Sequence, residues 1–422
     1  MPKNRPTTEP VKDRRLKVLF NSNAVHTNSG YAVEQRDLLF RLVRDGWNVA
    51  QIGFWGIEGY PVYLCGEDVI DERFKGLKLK VYPKMGDAWG ADAMYHHAKD
   101  FEANVVSSMQ DIWTLNPDFL QKIAQEGRKF VPWVPIDKDP CPPGVLDKMR
   151  YAYRILTFSR FGQKTIQKEG FASKLILEGT DTEIMKPADK MEMRKKLGIK
   201  PDLFVFGMIA ANKENPPRKG FQEAMEAFKL FHDKHPEATL LIHSHQQNPG
   251  GGFPIQEFAR HLGYLDRVIF TNDYRAIYGA DSWRIAEEMN ALDVLLHPSQ
   301  TEGFGLTVVE AMSCGVPAIV NRTTSMPELV VDGVTGMICE TGWKRWTNDN
   351  SWVHAADPKS LYGKMEELFT LLKEKPQETA KACRDHVIQN YNIETTAALW
   401  TEELEKLQRE ILPPLEPVAT AG

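Results

Sequence analysis

The chain changes character once, between about Thr182 and Pro201, and it reads as a strand–helix series on each side of that break. The first series opens with Lys17–Asn21 (KVLFN), a short apolar run bounded by polar residues, as in a buried strand. The polar segment Asn28-Ser29-Gly30 follows. Leu38, Leu39, Leu42 and Val43 then recur at helical spacing, and Gly46 supplies a C-terminal stop. Trp47–Phe54 is a second strand candidate. Strand, polar loop, helix, glycine, strand is the unit of a doubly wound parallel sheet. Asn104–Ser108, Lys129–Val134, Arg154–Phe158 and Lys174–Leu177 read as further strands, with a helix over 161–169.

The break itself, Lys190–Lys200, is charged and poor in apolar bulk, so it reads as a linker with a short helix. The second series follows. Leu203–Ile209, Thr239–His243, Val268–Phe270, Val294–His297 and Ala318–Val320 read as strands. Gly220–His232 and Leu306–Ser313 read as helices. Ala397, Trp400, Leu404, Leu407 and Ile411 mark an amphipathic helix near the C-terminus. The expected organisation is a flexible arm at 1–15, a Rossmann-like domain at 16–182 and a linker at 183–200. A second Rossmann-like domain at 201–392, a helix at 393–411 packing back on the first domain, and a tail at 412–422 complete it. Two such halves imply an α/β molecule with a cleft between them.

Composition bounds the partners. The charge sum is −5, without the basic excess of a protein that follows a nucleic-acid backbone. The longest run of apolar residues and glycine that we find, Leu203–Ala211, falls short of the roughly 20 residues of a membrane span. Met1–Arg15 is polar and charged, unlike a secretory leader. Five scattered cysteines without a C-x-x-C pair argue against a disulfide framework or zinc cluster. A cytoplasmic location is expected, with peripheral membrane contact through Lys190–Lys196 left open; oligomeric state is not legible.

The chemistry concentrates in His297–Pro317 (HPSQTEGFGLTVVEAMSCGVP). A strand ends near His297, and the glycines of Glu302-Gly303-Phe304-Gly305 allow close backbone approach to a ligand. A helix then begins near Leu306. Its unpaired N–H groups and positive dipole end suit phosphate. Glu302 lies in the loop, and Glu310 one turn inside the helix, where a carboxylate can accept from vicinal hydroxyls. Phosphate flanked by hydroxyl-seeking carboxylates suits a sugar nucleotide. Ala210–Gly220 (AANKENPPRKG) follows another strand, and its Lys213, Arg218 and Lys219 fit a diphosphate clamp. Ser29-Gly30, after the first strand, can reach the same phosphate from the other domain. Asp111 and Asp137 follow first-domain strands as candidates to orient an acceptor hydroxyl. Asp137-Lys138-Asp139 is formally D-x-D, but no metal is expected there. Trp343, Trp346 and Trp352 stand in a segment read as a polar loop, where they either stack on sugars or bases or plug the surface. Neither G-x-G-x-x-G nor a P-loop is found, which disfavours a dinucleotide oxidoreductase or P-loop NTPase.

Glu302-x7-Glu310, with GFG inside and EAMSCGVP after it, resembles the E-x7-E signature of glycosyltransferase family 4 (group 1 type), the retaining GT-B fold enzymes. Met326–Val330 and Asp332–Gly336, Glu178–Thr182 (similar to that family's GVDT stretch) and Ser159–Gly162 extend the resemblance in order over about residues 17–411. The resemblance implies a GT-B fold with its C-terminal helix crossing back. It implies that Glu310 binds the nucleotide ribose and that Glu302 contacts the transferred sugar. Backbone N–H groups of Gly303, Phe304, Gly305, Leu306 and Thr307 would hold sugar and diphosphate. Lys213 and Lys219 have the family's six-residue spacing, although Lys213 stands where an arginine is usual.

The expected function is transfer of a sugar, with retention, from a nucleoside-diphosphate sugar to an acceptor hydroxyl. UDP- or GDP-sugar is the expected donor, and no cofactor is expected. Glu302, Lys219 and Asp137 are the expected catalytic residues. The acceptor, whether glycan, lipid, protein or small molecule, stays open. A non-catalytic sugar-nucleotide binder, a phosphorylase or epimerase of the same fold, and a nucleic-acid modifier are the alternatives.

Overall fold

The computed structural model describes residues 15–246, 251–271 and 279–412. Most of the expected arm and tail, 1–14 and 413–422, lies outside the described residues.

The first sheet is built from β1 (Lys17–Asn23), β2 (Asn48–Trp55), β3 (Val62–Cys65), β4 (Lys78–Pro83), β5 (Val105–Ser108) and β6 (Lys129–Phe130). Its order is β3-β4-β2-β1-β5-β6, parallel except for the antiparallel edge strand β3. The strand expected over Lys129–Val134 is two strands in two sheets. Pro132 has no N–H for a ladder, and the chain leaves the main sheet there. β7 (Trp133–Val134) instead joins β8 (Leu156–Thr157) and β9 (Lys174–Leu175) in a small parallel sheet.

The second sheet contains β10 (Phe204–Ile209), β11 (Ala238–His243), β12 (Val268–Phe270), β13 (Val294–His297), β14 (Ala318–Asn321) and β15 (Gly336–Cys339). All pairs are parallel, in the order β12-β11-β10-β13-β14-β15. Phe204, Phe206, Phe231 and Phe369 pack edge-to-face on one side of it. Among the described residues no helix is long and apolar enough to cross a membrane.

Both sheets reverse direction of winding once, between β1 and β5 and between β10 and β13. In open parallel sheets a crevice forms at the carboxyl ends of the strands on each side of such a switch. Here those ends carry Asn28–Gly30 and Asp111 in the first domain, and 210–220 and 298–305 in the second.

The stretch expected as a free linker is docked. Its helix, Lys190–Leu197, buries Arg194, which pairs with Asp293 (2.6 Å) and donates to the carbonyls of Pro201, Leu203 and Ala291. Charge in a sequence does not distinguish a solvated tether from one fixed by a buried guanidinium. The tryptophan segment expected as a loop is an antiparallel hairpin, β16 (Thr341–Trp346) and β17 (Trp352–Ala356). Trp346 and Trp352 oppose each other and touch edge to face at 4.9 Å.

The Ile393–Ile411 helix returns to the first domain. Trp400 is fully buried against Phe20 (5.2 Å) and Trp133 (5.5 Å). Arg41 ties this crossing by pairing with Asp181 (2.9 Å) and Glu394 (2.8 Å). Thr180 exchanges backbone hydrogen bonds with Tyr391 and Ile393 (2.9 and 3.1 Å). The crossing is so tight that a Cβ on Gly179 would lie 2.7 Å from the Ile393 backbone, so only glycine fits.

Candidate functional site

The loop after β13 and the loop after β10 are zipped together. Gln300 N–H donates to the Arg218 carbonyl (2.7 Å), and the Arg218 guanidinium donates to the Thr301 carbonyl (2.7 Å). Gly220 caps the Phe221–His232 helix in a left-handed conformation, pressed on the Pro298 carbonyl where a Cβ has no room. These contacts fix Lys219 against Glu302: Nζ to Oε1 is 2.5 Å. His297 Nε2 lies 3.1 Å from the same oxygen, and Arg218 lies 3.8 Å from Oε2. Burial alone would push the Glu302 carboxyl up; Lys219, His297 and Arg218 outweigh it and hold it well below the usual range. The Glu302 carboxyl is therefore ionised at neutral pH, while burial lowers the Lys219 ammonium from its ordinary range and the charge of Glu302 opposes that shift.

Gly305 (φ 112°) starts the Leu306–Ser313 helix. The first N–H groups of that helix have no partner inside it and point at the loop. Phe304 is buried, its ring edge-on to Tyr391 at 5.8 Å, so its side chain anchors the loop and only its backbone is offered to a ligand. Ser325 Oγ accompanies it, donating to the Glu302 and Phe304 carbonyls. Leu306 and Thr307 are half-buried at the helix mouth. Glu310 lies on the buried side of the helix. Burial, and next the charge of Asp37, push its carboxyl up to about 7, with Arg36 acting in the opposite sense.

The first domain closes on this site. Asp137 Oδ2 accepts from Thr301 Oγ1 (3.2 Å). Gly303 backs onto Pro135, where a Cβ would sit 2.9 Å from the proline's own. Ser29 caps the Gly30–Arg44 helix, accepting from Ala32 N–H (3.2 Å) and Asn23 Nδ2 (2.6 Å). A Cβ on Gly30 would meet open space. Asn28 approaches Gly279 and Asp281, and Arg36 donates to Ser282 Oγ (2.6 Å). Asp111 is exposed to solvent at the end of β5. Burial, and then Asp137, raise its carboxyl to about 6.

The expected residues thus separate into groups. Lys219, Arg218, Glu302 and His297 form one interacting cluster. Asp137 reaches that cluster through Thr301, and Asp111 senses Asp137. Glu310 lies in the cleft wall. Lys213 is exposed and is not among the cations that pair with Glu302. Asp139 pairs with Lys168 (2.6 Å), so the two aspartates of D-x-D do not converge. Among the described residues no group of three or more His, Cys, Asp or Glu is placed to hold a metal.

Two residues were not singled out from the sequence. Tyr31 belongs to the Asn28–Tyr31 segment, and its hydroxyl is held well above its ordinary acidity range by burial, Asp111, Glu178 and Asp137. Glu178 is buried, and burial, Glu302 and Glu310 raise its carboxyl to about 8. Both lie inside stretches noted in the sequence, but only folding brings Tyr31 beside Asp111 and Asp137 and Glu178 beside Glu302 and Glu310.

Residues 189–353 match the family model described as "Glycosyl transferases group 1". The match covers less than half of the chain. A D-inositol 3-phosphate glycosyltransferase of Stackebrandtia nassauensis is 28% identical over 185 residues, 42% of this chain and 39% of that protein. The chain thus matches about two fifths of that relative's length. Among solved structures, sucrose-phosphate synthase from Thermosynechococcus elongatus superposes with a TM-score of 0.73 at 16% identity, covering 93% of this chain and 99% of that one. Anabaena HepE, in complex with UDP and glucose, gives 0.68 at 18% identity over 93% and 100%. These superpositions span both domains and establish the GT-B architecture, two Rossmann-like domains facing a cleft. The group 1 match begins with the docked Lys190–Leu197 helix and ends in β17, so it holds the Lys219–Glu302 pair and Glu310.

Proposed function

We propose that the chain is a retaining glycosyltransferase that moves a sugar from a nucleoside-diphosphate sugar to an acceptor hydroxyl. The observation that carries this reading is the buried Lys219–Glu302 pair at the mouth of the Leu306 helix, with Arg218 beside it and Asp137 facing it from the other domain. The leaving diphosphate gains negative charge as the glycosidic bond breaks. Lys219, Arg218 and the helix N–H groups are fixed around one point before reaction, so stabilising that charge needs little reorganisation. Glu302 holds Lys219 in place and would accept from the sugar's hydroxyls. Glu310 would bind the ribose; it becomes a full acceptor once ionised above about 7. Ser29 and Gly30 cap the cleft from the first domain, and the open space over Gly30 leaves room for phosphate.

The acceptor enters from the first domain. Asp137 would orient its hydroxyl, and Asp111 would bind beside it. Attack on the same face as the departing diphosphate lets a phosphate oxygen take the acceptor's proton. The carbon–oxygen bond to the acceptor then forms as the bond to phosphate breaks, with no covalent sugar–enzyme intermediate. Closure of the two domains over this point excludes water and so limits donor hydrolysis. UDP-sugar is the first donor to test, because HepE, which shares the fold, is seen with UDP.

A panel of UDP-, GDP- and ADP-sugars tests the reading through nucleotide release, thermal stabilisation and the anomeric configuration of the product. Binding of at least one donor, lost or greatly weakened in Lys219→Ala and Glu302→Ala, is expected. If no nucleotide sugar binds, or both variants behave as wild type, the assignment is wrong. Donor binding without release in the presence of any acceptor favours the non-catalytic binder.

A further inference from the structure

We infer that the exposed indoles of Trp89 and Trp113, with Asp111 beside them, form a carbohydrate-binding site, so that the acceptor is itself a glycoside of two or more sugar units. This rests on the transferase reading for its role, but the site stands on its own geometry.

Trp113 is two residues beyond Asp111, which limits the separation of their Cα atoms to about 7.6 Å. It follows β5, at the crevice of the first sheet, and is 58% exposed. Trp89 comes from the loop after β4 and is 45% exposed. Its carbonyl accepts from two buried amides, Asn21 Nδ2 (3.0 Å) and Gln110 Nε2 (3.3 Å). Gln110 is the neighbour of Asp111 in sequence, so Trp89 is tied to the same spot. The rest of its loop is equally fixed. Asp87 accepts from the Trp89 and Ala91 N–H groups, and Asp92 accepts from those of Gly86 and Asp87. Phe54 lies 5.8 Å from the Trp89 ring and supports it.

Indoles that serve the core of this protein are fully buried, as Trp133 and Trp400 are. Trp89 and Trp113 are instead exposed, on loops that follow strands of the first sheet and are joined through Gln110. Rigid aromatic surface binds with little loss of side-chain freedom. An indole stacks on the C–H face of a sugar ring, and an adjacent carboxylate accepts from the ring's hydroxyls. Asp111 supplies that carboxylate. Asp137, whose charge acts on Asp111, accepts from Thr301, the neighbour of Glu302. One sugar unit would present its hydroxyl at Asp137 while the next units lie over the indoles.

The alternative stacking partner is a nucleobase. The surrounding charge disfavours it. Asp87, Asp92 and Asp111 line these loops, while Lys84 and Lys138 are already paired with Glu58 (2.9 Å) and Asp349 (2.5 Å). A phosphate backbone would meet carboxylates here, whereas an uncharged sugar chain would not.

The test is calorimetric titration of the full chain with maltose, cellobiose, lactose, α-mannobiose and chitobiose, and separately with a short oligothymidylate and with UDP. At least one disaccharide is expected to bind wild type. Its affinity is expected to fall by about tenfold or more in Trp89→Ala and in Trp113→Ala. Trp113→Phe should keep part of it. Trp283→Ala, which removes an exposed indole on the second domain, should bind the disaccharide as wild type does. UDP binding and the melting temperature of each variant report that the fold and donor site are intact. The inference is overturned if no disaccharide binds wild type, if binding survives both alanine substitutions, or if only the oligothymidylate binds. Disaccharide binding that depends on both indoles, in a protein that binds no nucleotide sugar, would leave this site standing and remove the transferase reading.

Discussion

Replacing Lys219 by alanine leaves Glu302 ionised, 8% exposed and without its shortest partner. Removing one member of a buried ion pair typically costs about 3–5 kcal/mol, because the other charge stays desolvated. Glu302 keeps His297 at 3.1 Å and the more distant Arg218, so the lower end, about 3 kcal/mol, applies. For a domain of this size that lowers the melting temperature by about 6–12 °C at pH 7.5. The loss should shrink at pH 5. Without Lys219 the Glu302 carboxyl rises, and a protonated carboxyl escapes much of the desolvation cost. The same substitution removes a cation from the leaving group, and loss of one preorganised donor commonly costs about 10²–10³ in rate. Scanning calorimetry at the two pH values, with single-turnover kinetics on the best donor, measures both effects. A melting temperature within a degree of wild type at pH 7.5, or a penalty that grows on acidification, would refute the ionised-pair argument. An unchanged single-turnover rate would refute the role of Lys219 in leaving-group stabilisation.

Glu178, raised to about 8, keeps a proton that the unfolded chain releases near 4.5. Its contribution is therefore complete below 4.5 and is lost as pH rises towards 8. At about 1.4 kcal/mol per unit this amounts to a few kcal/mol. The melting temperature should fall between pH 5 and 8.5, and less steeply in Glu178→Gln; equal slopes would contradict this. Gly303→Ala puts a methyl 2.9 Å from the Pro135 Cβ across the cleft. Transfer should slow by about tenfold or more while titrated nucleotide affinity changes little, because closure and not second-domain binding is obstructed. Trp400→Ala empties the space between Phe20 and Trp133 and should cost about 3–5 kcal/mol, seen as a shift of the denaturation midpoint.

Much of the fold was legible because periodicity and glycine are local signals. β1, the Gly30–Arg44 helix, β10, β13 and the Leu306–Ser313 helix each stand close to where alternation of apolar runs and stop signals put them. The elements that were not legible are the ones whose patterns are short or polar. β3 and β4 were missed, Pro132 split an apparent strand, and a polar tryptophan segment became a hairpin only because Trp346 and Trp352 could pair across it. The hairpin also reaches the first domain, through Lys138–Asp349 and the Ser351 hydroxyl donated to the Pro140 carbonyl, a contact of sequence-distant residues with no local signature.

By itself the sequence determined that this is a two-part α/β chain with a glycine loop, two carboxylates eight residues apart and a basic loop after another strand. Those are properties of residue type and spacing, fixed before any folding. Which cations touch Glu302, that Lys213 is not among them, that Tyr31 and Glu178 interact with the cleft carboxylates, and that Trp89 and Trp113 stay exposed were decided only by tertiary structure. Each depends on distances between residues far apart in the chain. Coulomb and desolvation energies follow those distances and that burial, not the order of residues along the backbone.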